Sequence, residues 1–246
     1  MTLAEFFERF VFTRKCASCS TLLPYERKDE AFCGECRMRW DVLKTKECKL
    51  CGRAFCECVC MTKPLANAGA LCHHKVVGYS LSEGAVHNTV MFLKRNKNPR
   101  VTAFLAGQLH SVLLADKELP PLNAGSAVIT FVPRSRSTVT RYGVDQSEEL
   151  ARALAGISKI PFTSALTRVR GGREQKKLTA SERLKNTKKL FCPSENIDEL
   201  VGGKTVILVD DVVTTGASMA ACVHHLIRAR AGAVICLSVA STPRDK

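Results

Sequence analysis

The stretch from Val206 to Ser218, V-I-L-V-D-D-V-V-T-T-G-A-S, restricts the fold of this chain more than any other. Four apolar residues, three of them β-branched, predict a buried strand over Val206 to Val209. Asp210 and Asp211 stand where that strand should emerge. A small, hydroxyl-rich turn follows, with Thr214, Thr215, Gly216 and Ser218. Met219, Cys222, Val223, Leu226 and Ile227 then repeat at helical spacing.

A strand, turn and helix in this order make an anion site. The turn and first helical residues carry N–H groups with no intrahelical partner, aligned with the positive end of the helix dipole. Gly216 lets the backbone approach a phosphate closely, and the three hydroxyls add donors. The two carboxylates repel phosphate. They suit sugar hydroxyls, or a divalent cation shared with a diphosphate. Phosphate on one side and a diol on the other describe a ribose 5-phosphate. Gly202-Gly203-Lys204-Thr205 mimics the tail of a Walker A loop, but the required first glycine is Asp198 and the run precedes its strand, so it is rejected.

The chain carries 37 Lys and Arg against 23 Asp and Glu in 246 residues, which favours an anionic partner, nucleic acid or a phosphorylated small molecule. Ten of its 13 cysteines lie before residue 73. That clustering points to metal ligation in a reducing, cytoplasmic setting and against a disulfide framework. No apolar run reaches membrane-spanning length. Met1 to Phe12 has Glu5 and Glu8 within its apolar stretch and no cleavage site, unlike a signal peptide. Leu3, Phe6, Phe7 and Phe10 share one helical face suited to packing on the rest of the chain.

Cys16-x-x-Cys19 and Cys33-x-x-Cys36 are separated by thirteen residues, a spacing that suits a closed tetrahedral Zn²⁺ site. Metal there would supply roughly 10 kcal/mol or more of folding free energy. Cys48-x-x-Cys51 begins a second knuckle, for which Cys56, Cys58 and Cys60 compete to fill two places. A one-residue spacing is awkward on one ion, so Cys56 with Cys60 is the expected pair; Cys72, His73 and His74 are substitutes, though a short His-His loop is more often exposed. A closed four-thiolate site leaves no open position, so neither zinc should be catalytic.

Met61 to His74 reads as a linker, dividing residues 1–62, a helix and zinc-ribbon module, from an α/β domain over 63–246. Val76 to Ser80 is a short strand candidate. Ser82 can cap a helix through Val86, Val90 and Leu93, and a basic turn, Lys94 to Arg100, ends it. Leu105, Leu109, Val112 and Leu113 mark another helix. Ala127 to Val132 is a second buried strand running into Pro133-Arg134-Ser-Arg136. Leu150, Ala151 and Leu154 mark a helix, and Ala233 to Val239 a third strand. Arg168 to Lys189 holds nine Lys or Arg against two Glu and reads as a solvated basic loop. Strands alternating with helices predict a parallel sheet covered on both faces, with a ligand crevice at the strands' carboxyl ends.

All thirteen positions of Val206 to Ser218 resemble the phosphoribosyl-pyrophosphate (PRPP) signature of type I phosphoribosyltransferases. The resemblance implies that Asp210 and Asp211 hold the ribose hydroxyls, that Thr214, Thr215, Gly216, Ala217 and Ser218 cradle the 5′-phosphate, and that Val213 belongs to the same PRPP site. It assigns Arg134 and Arg136 to pyrophosphate and Arg173, Gln175 and Lys177 to a flexible loop that closes over it, with Mg²⁺ on the diphosphate. Thr214 stands where 6-oxopurine salvage enzymes usually place Asp, which speaks against hypoxanthine or guanine.

Cysteine knuckles ahead of such a domain form a narrower pattern. With Tyr79 to Lys94 (Y-S-L-S-E-G-A-V-H-N-T-V-M-F-L-K), Arg141 to Gln146 (R-Y-G-V-D-Q) and Gln175 to Arg183 (Q-K-K-L-T-A-S-E-R), the chain is similar to the ComF family of competence-associated, phosphoribosyltransferase-like proteins. It departs at Val144-Asp145-Gln146, where the family commonly has Phe-Asn-Gln. The family implies either phosphoribosyl transfer with release of pyrophosphate, or a binding role in DNA uptake involving single-stranded DNA and a DNA-uptake helicase. Sensing of PRPP without turnover and nucleotide salvage are further alternatives. No residue after the motif identifies an acceptor.

Overall fold

The computed structural model describes residues 14–79, 84–95, 97–169 and 189–242. The helices are α1 (Gly34–Thr45), α2 (Lys63–Ala68), α3 (Gly84–Arg95), α4 (Pro99–Ala115), α5 (Arg136–Tyr142), α6 (Gln146–Ser158), α7 (Ile197–Val201) and α8 (Ala217–Arg228). The strands are β1 (Cys72–Gly78), β2 (Ala127–Phe131), β3 (Leu166–Arg168), β4 (Phe191–Pro193), β5 (Thr205–Val213) and β6 (Ala233–Ser241).

The main sheet has the order β1-β6-β5-β2, and every pairing in it is parallel. Apolar runs feed this sheet because parallel strands are covered on both faces. Ile207 and Val209 face one core with Leu105 and Leu109 of α4 and Leu150 and Leu154 of α6. Val206 and Leu208 face the other, with Met219, Cys222 and Leu226 of α8 and Leu65 of α2. β3 and β4 form a separate antiparallel pair.

The cysteine-rich segment packs directly on this core. Phe32 and Trp40 pack with ring centroids 5.4 Å apart at a tilt of 34° and meet the Phe104 ring of α4 edge-on. Arg100 ties the same region down by donating to the backbone oxygens of Lys28 and Glu30.

The linker expected over Met61 to His74 is not one. It contains α2, capped at its start by Thr62 (whose Oγ1 accepts from Leu65 N at 3.2 Å) and at its end by Gly69 in the left-handed conformation, and then the start of β1. β1 begins four residues earlier than Val76. His73 and His74, expected to be exposed, are 1% and 2% accessible. Pairing with β6 on one side and cover from the cysteine segment on the other supply the burial that their polarity concealed. β5 also runs past Val209 to Val213, so both aspartates lie inside the strand. Arg173, Gln175 and Lys177 fall outside the described residues, as do Leu3, Phe6, Phe7 and Phe10.

Candidate ribose-phosphate and metal sites

β2 stays in register with β5 only as far as Phe131 opposite Val209, while β6 stays paired with β5 through Val213. Where β2 leaves, a gap opens on one flank of Asp210 and Asp211. The start of α6 and the segment after β2 fill it. Ser147 Oγ donates to Asp210 Oδ1 at 2.8 Å. The Arg134 guanidinium donates to Asp211 Oδ2, and Lys94 Nζ lies 3.7 Å from the same oxygen. Asp145 orients this whole corner: it accepts the Arg134 N–H at 2.7 Å and caps α6 through the amides of Ser147 and Glu148. Gln146 Nε2 donates to the Lys94 carbonyl at 3.2 Å, joining α3 to the same network.

The two acids are not equivalent. Burial, reinforced by the charge of Asp211, pushes the Asp210 carboxyl up to about 8 against the pull of Ser147. Asp211, 5% accessible, is instead paired with two cations. Burial likewise raises Asp145, opposed by the amides it accepts.

The turn after β5 has the arrangement that an anion needs. Thr214 and Thr215 are exposed and Gly216 is left-handed (φ 80°). Among the described residues the N–H groups of Thr214, Thr215, Gly216 and Ser218 donate no hydrogen bond, and that of Ala217 makes a long 3.4 Å contact to Thr215 Oγ1. Intrahelical bonding begins at Ala220, whose N–H reaches the Gly216 carbonyl at 2.8 Å. Gly216 has a second constraint. A Cβ there would overlap Thr62 Oγ1 and lie 3.0 Å from Thr62 Cγ2, so the turn sits flush on the start of α2.

Arg136 is exposed in the first turn of α5, on the same segment as Arg134. Of the positions named from sequence, the structure therefore gathers Asp210, Asp211, Arg134 and the turn through Ser218 at one end of the sheet. It adds Lys94, Asp145, Gln146, Ser147 and Thr62, which the sequence reading missed. Asp145-Gln-Ser-Glu148 had a readable signal, an acidic cap with Glu three residues on. Thr62 and Lys94 had none, because their roles depend on contacts far away in sequence.

Two groups of four sulfur atoms, each within 4.8 Å of one another, lie in the N-terminal region: Cys16, Cys19, Cys33 and Cys36, and Cys48, Cys51, Cys58 and Cys60. The first matches expectation. The second corrects it, since Cys58 takes the place assigned to Cys56. The one-residue spacing works because the chain turns on the sulfur itself, the Cys60 N–H lying 3.4 Å from Cys58 Sγ. Cys56 sits in a short 3₁₀ turn and stays apart.

Protonation in the two groups is uneven. The Thr21 hydrogen bond draws Cys19 down to about 6. Cys48 is held near about 7: burial pushes it up, but the amides of Leu50 and Cys51 and neighbouring thiols outweigh it. Burial and nearby sulfurs push Cys36 and Cys60 up to about 12. Four crowded sulfurs cannot all ionise alone, and a divalent cation relieves that conflict, so both donor sets fit Zn²⁺. A cation so enclosed by four thiolates would brace the fold, with no position left for substrate.

Residues 138–246 match the phosphoribosyl transferase domain family. The chain is 31% identical over 143 residues to the DNA utilization protein YhgH of Salmonella typhimurium, covering 58% of this chain and 61% of that protein. It is 35% identical over 107 residues to YhgH of Escherichia coli, covering 43% and 45%. The matches thus span about half the length of these curated relatives. A solved structure of the allosteric regulatory enzyme of purine biosynthesis overlaps 61% of this chain and 30% of its own, at 20% identity and a TM-score of 0.40. No helix among the described residues is long and apolar enough to cross a membrane. Residues 138–246 thus resemble phosphoribosyl transferase domains, behind paired cysteine clusters, and about half of the chain is similar to relatives of the YhgH type.

Proposed function

We propose that the chain binds PRPP, or a closely related ribose 5-phosphate, at the carboxyl end of β5. The observation that carries this reading is the row of amides from Thr214 to Ser218, four of them uncommitted among the described residues, beside the paired acids. Those amides and hydroxyls would take the 5′-phosphate, with Asp210 and Asp211 on the ribose hydroxyls. Arg134, paired with Asp211, would turn to the pyrophosphate, with Arg136 beside it. Asp210 and Asp211 offer oxygen ligands that would help hold Mg²⁺ with the diphosphate, where the ion would offset its negative charge.

If the protein turns PRPP over, an acceptor attacks the anomeric carbon as pyrophosphate leaves, and the acids stabilise positive charge on the ribose ring. We take residues 1–62 as a metal-held module on a transferase-like domain spanning 63–246. By analogy with its relatives, the DNA utilization proteins YhgH, the protein serves DNA utilisation. An excess of fourteen positive charges suits contact with single-stranded DNA.

PRPP with Mg²⁺ should raise the melting temperature, and Asp210→Asn with Asp211→Asn should abolish that rise. An unchanged melting curve for the wild-type protein would remove the reading. Pyrophosphate release across a panel of bases and amines separates an enzyme from a PRPP sensor. Binding of single-stranded oligonucleotides that weakens steeply with salt supports the DNA role, and absence of binding at low salt eliminates it.

A further inference from the structure

The second cysteine cluster touches the ribose-phosphate site at two places. Cys60 lies two residues before Thr62, which is 2% accessible, and Thr62 is the side chain against which Gly216 has no room for a Cβ. On the sheet side, the ammonium of Lys75 (4% accessible) donates to the Cys60 carbonyl at 2.7 Å and the His73 carbonyl at 3.3 Å. His73 Nε2 lies 2.9 Å from Ser238 Oγ, and Ser238 is the residue of β6 in register with both Lys75 and Asp210. Cys48, Cys60, Thr62, His73, Lys75 and Ser241 line one narrow recess. Thr242 N–H then returns to the Val213 carbonyl at 3.0 Å, at the point where β5 gives way to the turn.

We infer that metal held by Cys48, Cys51, Cys58 and Cys60 and phosphate held by the 214–218 turn stabilise one another, with Lys75 and Thr62 as the positioning residues that join them. The inference rests on the phosphate reading above. Four thiolates around a divalent cation carry a net charge of about −2, and Lys75 places a buried positive charge beside them. Metal fixes Cys58 and Cys60, and the short step to Thr62 leaves that side chain little freedom. Because Gly216 lies flush on Thr62, a disordered second cluster would release the wall against which the turn is shaped. Binding linkage is reciprocal, so phosphate must tighten the metal by the factor that metal tightens phosphate.

The test is zinc release from the full-length, zinc-loaded protein to an excess of colorimetric chelator, with and without Mg²⁺ and PRPP. Release in two phases is expected, and Cys58→Ala identifies the second-cluster phase by its loss. PRPP should slow that phase about tenfold and leave the other unchanged. Lys75→Met should accelerate the same phase about tenfold or more, and Lys75→Arg should restore it partly. Equal slowing of both phases means general stabilisation and overturns the inference. Unchanged release alongside a PRPP-induced rise in melting temperature overturns the coupling and leaves the phosphate site standing. No melting shift at all overturns the phosphate site, and the coupling with it. An unaltered rate in Lys75→Met removes Lys75 from the account.

Discussion

Gly216→Ala tests whether the turn is shaped by its contact with Thr62. Two separate costs apply. An L-residue held at φ 80° pays about 1–2 kcal/mol. The new methyl must also displace Thr62, whose Oγ1 caps α2 through Leu65 N, and losing such a cap costs about 1 kcal/mol. The sum is about 2–3 kcal/mol, or a fall in melting temperature of roughly 5–10 °C for a chain of this size. Thr62→Ala alone should cost about 1 kcal/mol through the cap. In the double variant the cap is lost only once and the overlap with Thr62 Oγ1 is gone, leaving a tight Cβ contact of 3.1 Å, so its cost should be about 1 kcal/mol less than the sum of the singles. Thermal or urea unfolding of the four proteins, followed by circular dichroism, measures this cycle. Additive costs, or a Gly216→Ala protein within about 0.5 kcal/mol of wild type, would refute the contact argument.

Further outcomes follow from the same geometry. Cys56→Ala should keep two zinc per chain by metal analysis, whereas Cys58→Ala should keep one. Since folding raises the Asp210 pKa, the unfolded chain has released that proton between about pH 4 and pH 8 while the folded chain retains it, so stability falls as pH rises across this window. Asp210→Asn should flatten that part of the stability–pH curve, and an unchanged slope would show the carboxyl to be ionised throughout. Ser147→Ala should cost about 1–2 kcal/mol in urea unfolding, because it removes a hydrogen bond to a partly ionised acid. Arg134→Met should weaken binding of PRPP more than binding of ribose 5-phosphate in titration calorimetry, and equal weakening would place Arg134 away from the pyrophosphate.

The four strands of the main sheet, the principal helices and the turn are legible because each rests on local pattern, whereas the short pair β3 and β4 is not. Val206 to Val209 announces burial by its composition alone, and the spacing from Met219 to Leu226 announces a helix. Long-range contacts decide the rest. His73 and His74 look like an exposed pair until β6 and the cysteine segment are seen to enclose them. Asp210 and Asp211 suggest the end of a strand, yet pairing with β6 carries the strand beyond them. Spacing alone disfavours Cys58, because it cannot register a chain that folds back on its own sulfur. Ser147 and Lys94 reach the acids across 63 and 117 residues of sequence, and no local signal encodes such a meeting.

The most direct test of the phosphate turn is a nitrogen–proton NMR titration of the zinc-loaded protein with ribose 5-phosphate. The account predicts saturable shifts concentrated at the amides of Thr214, Thr215, Gly216, Ala217 and Ser218. Saturable shifts confined to other residues, with these five unmoved, would contradict it.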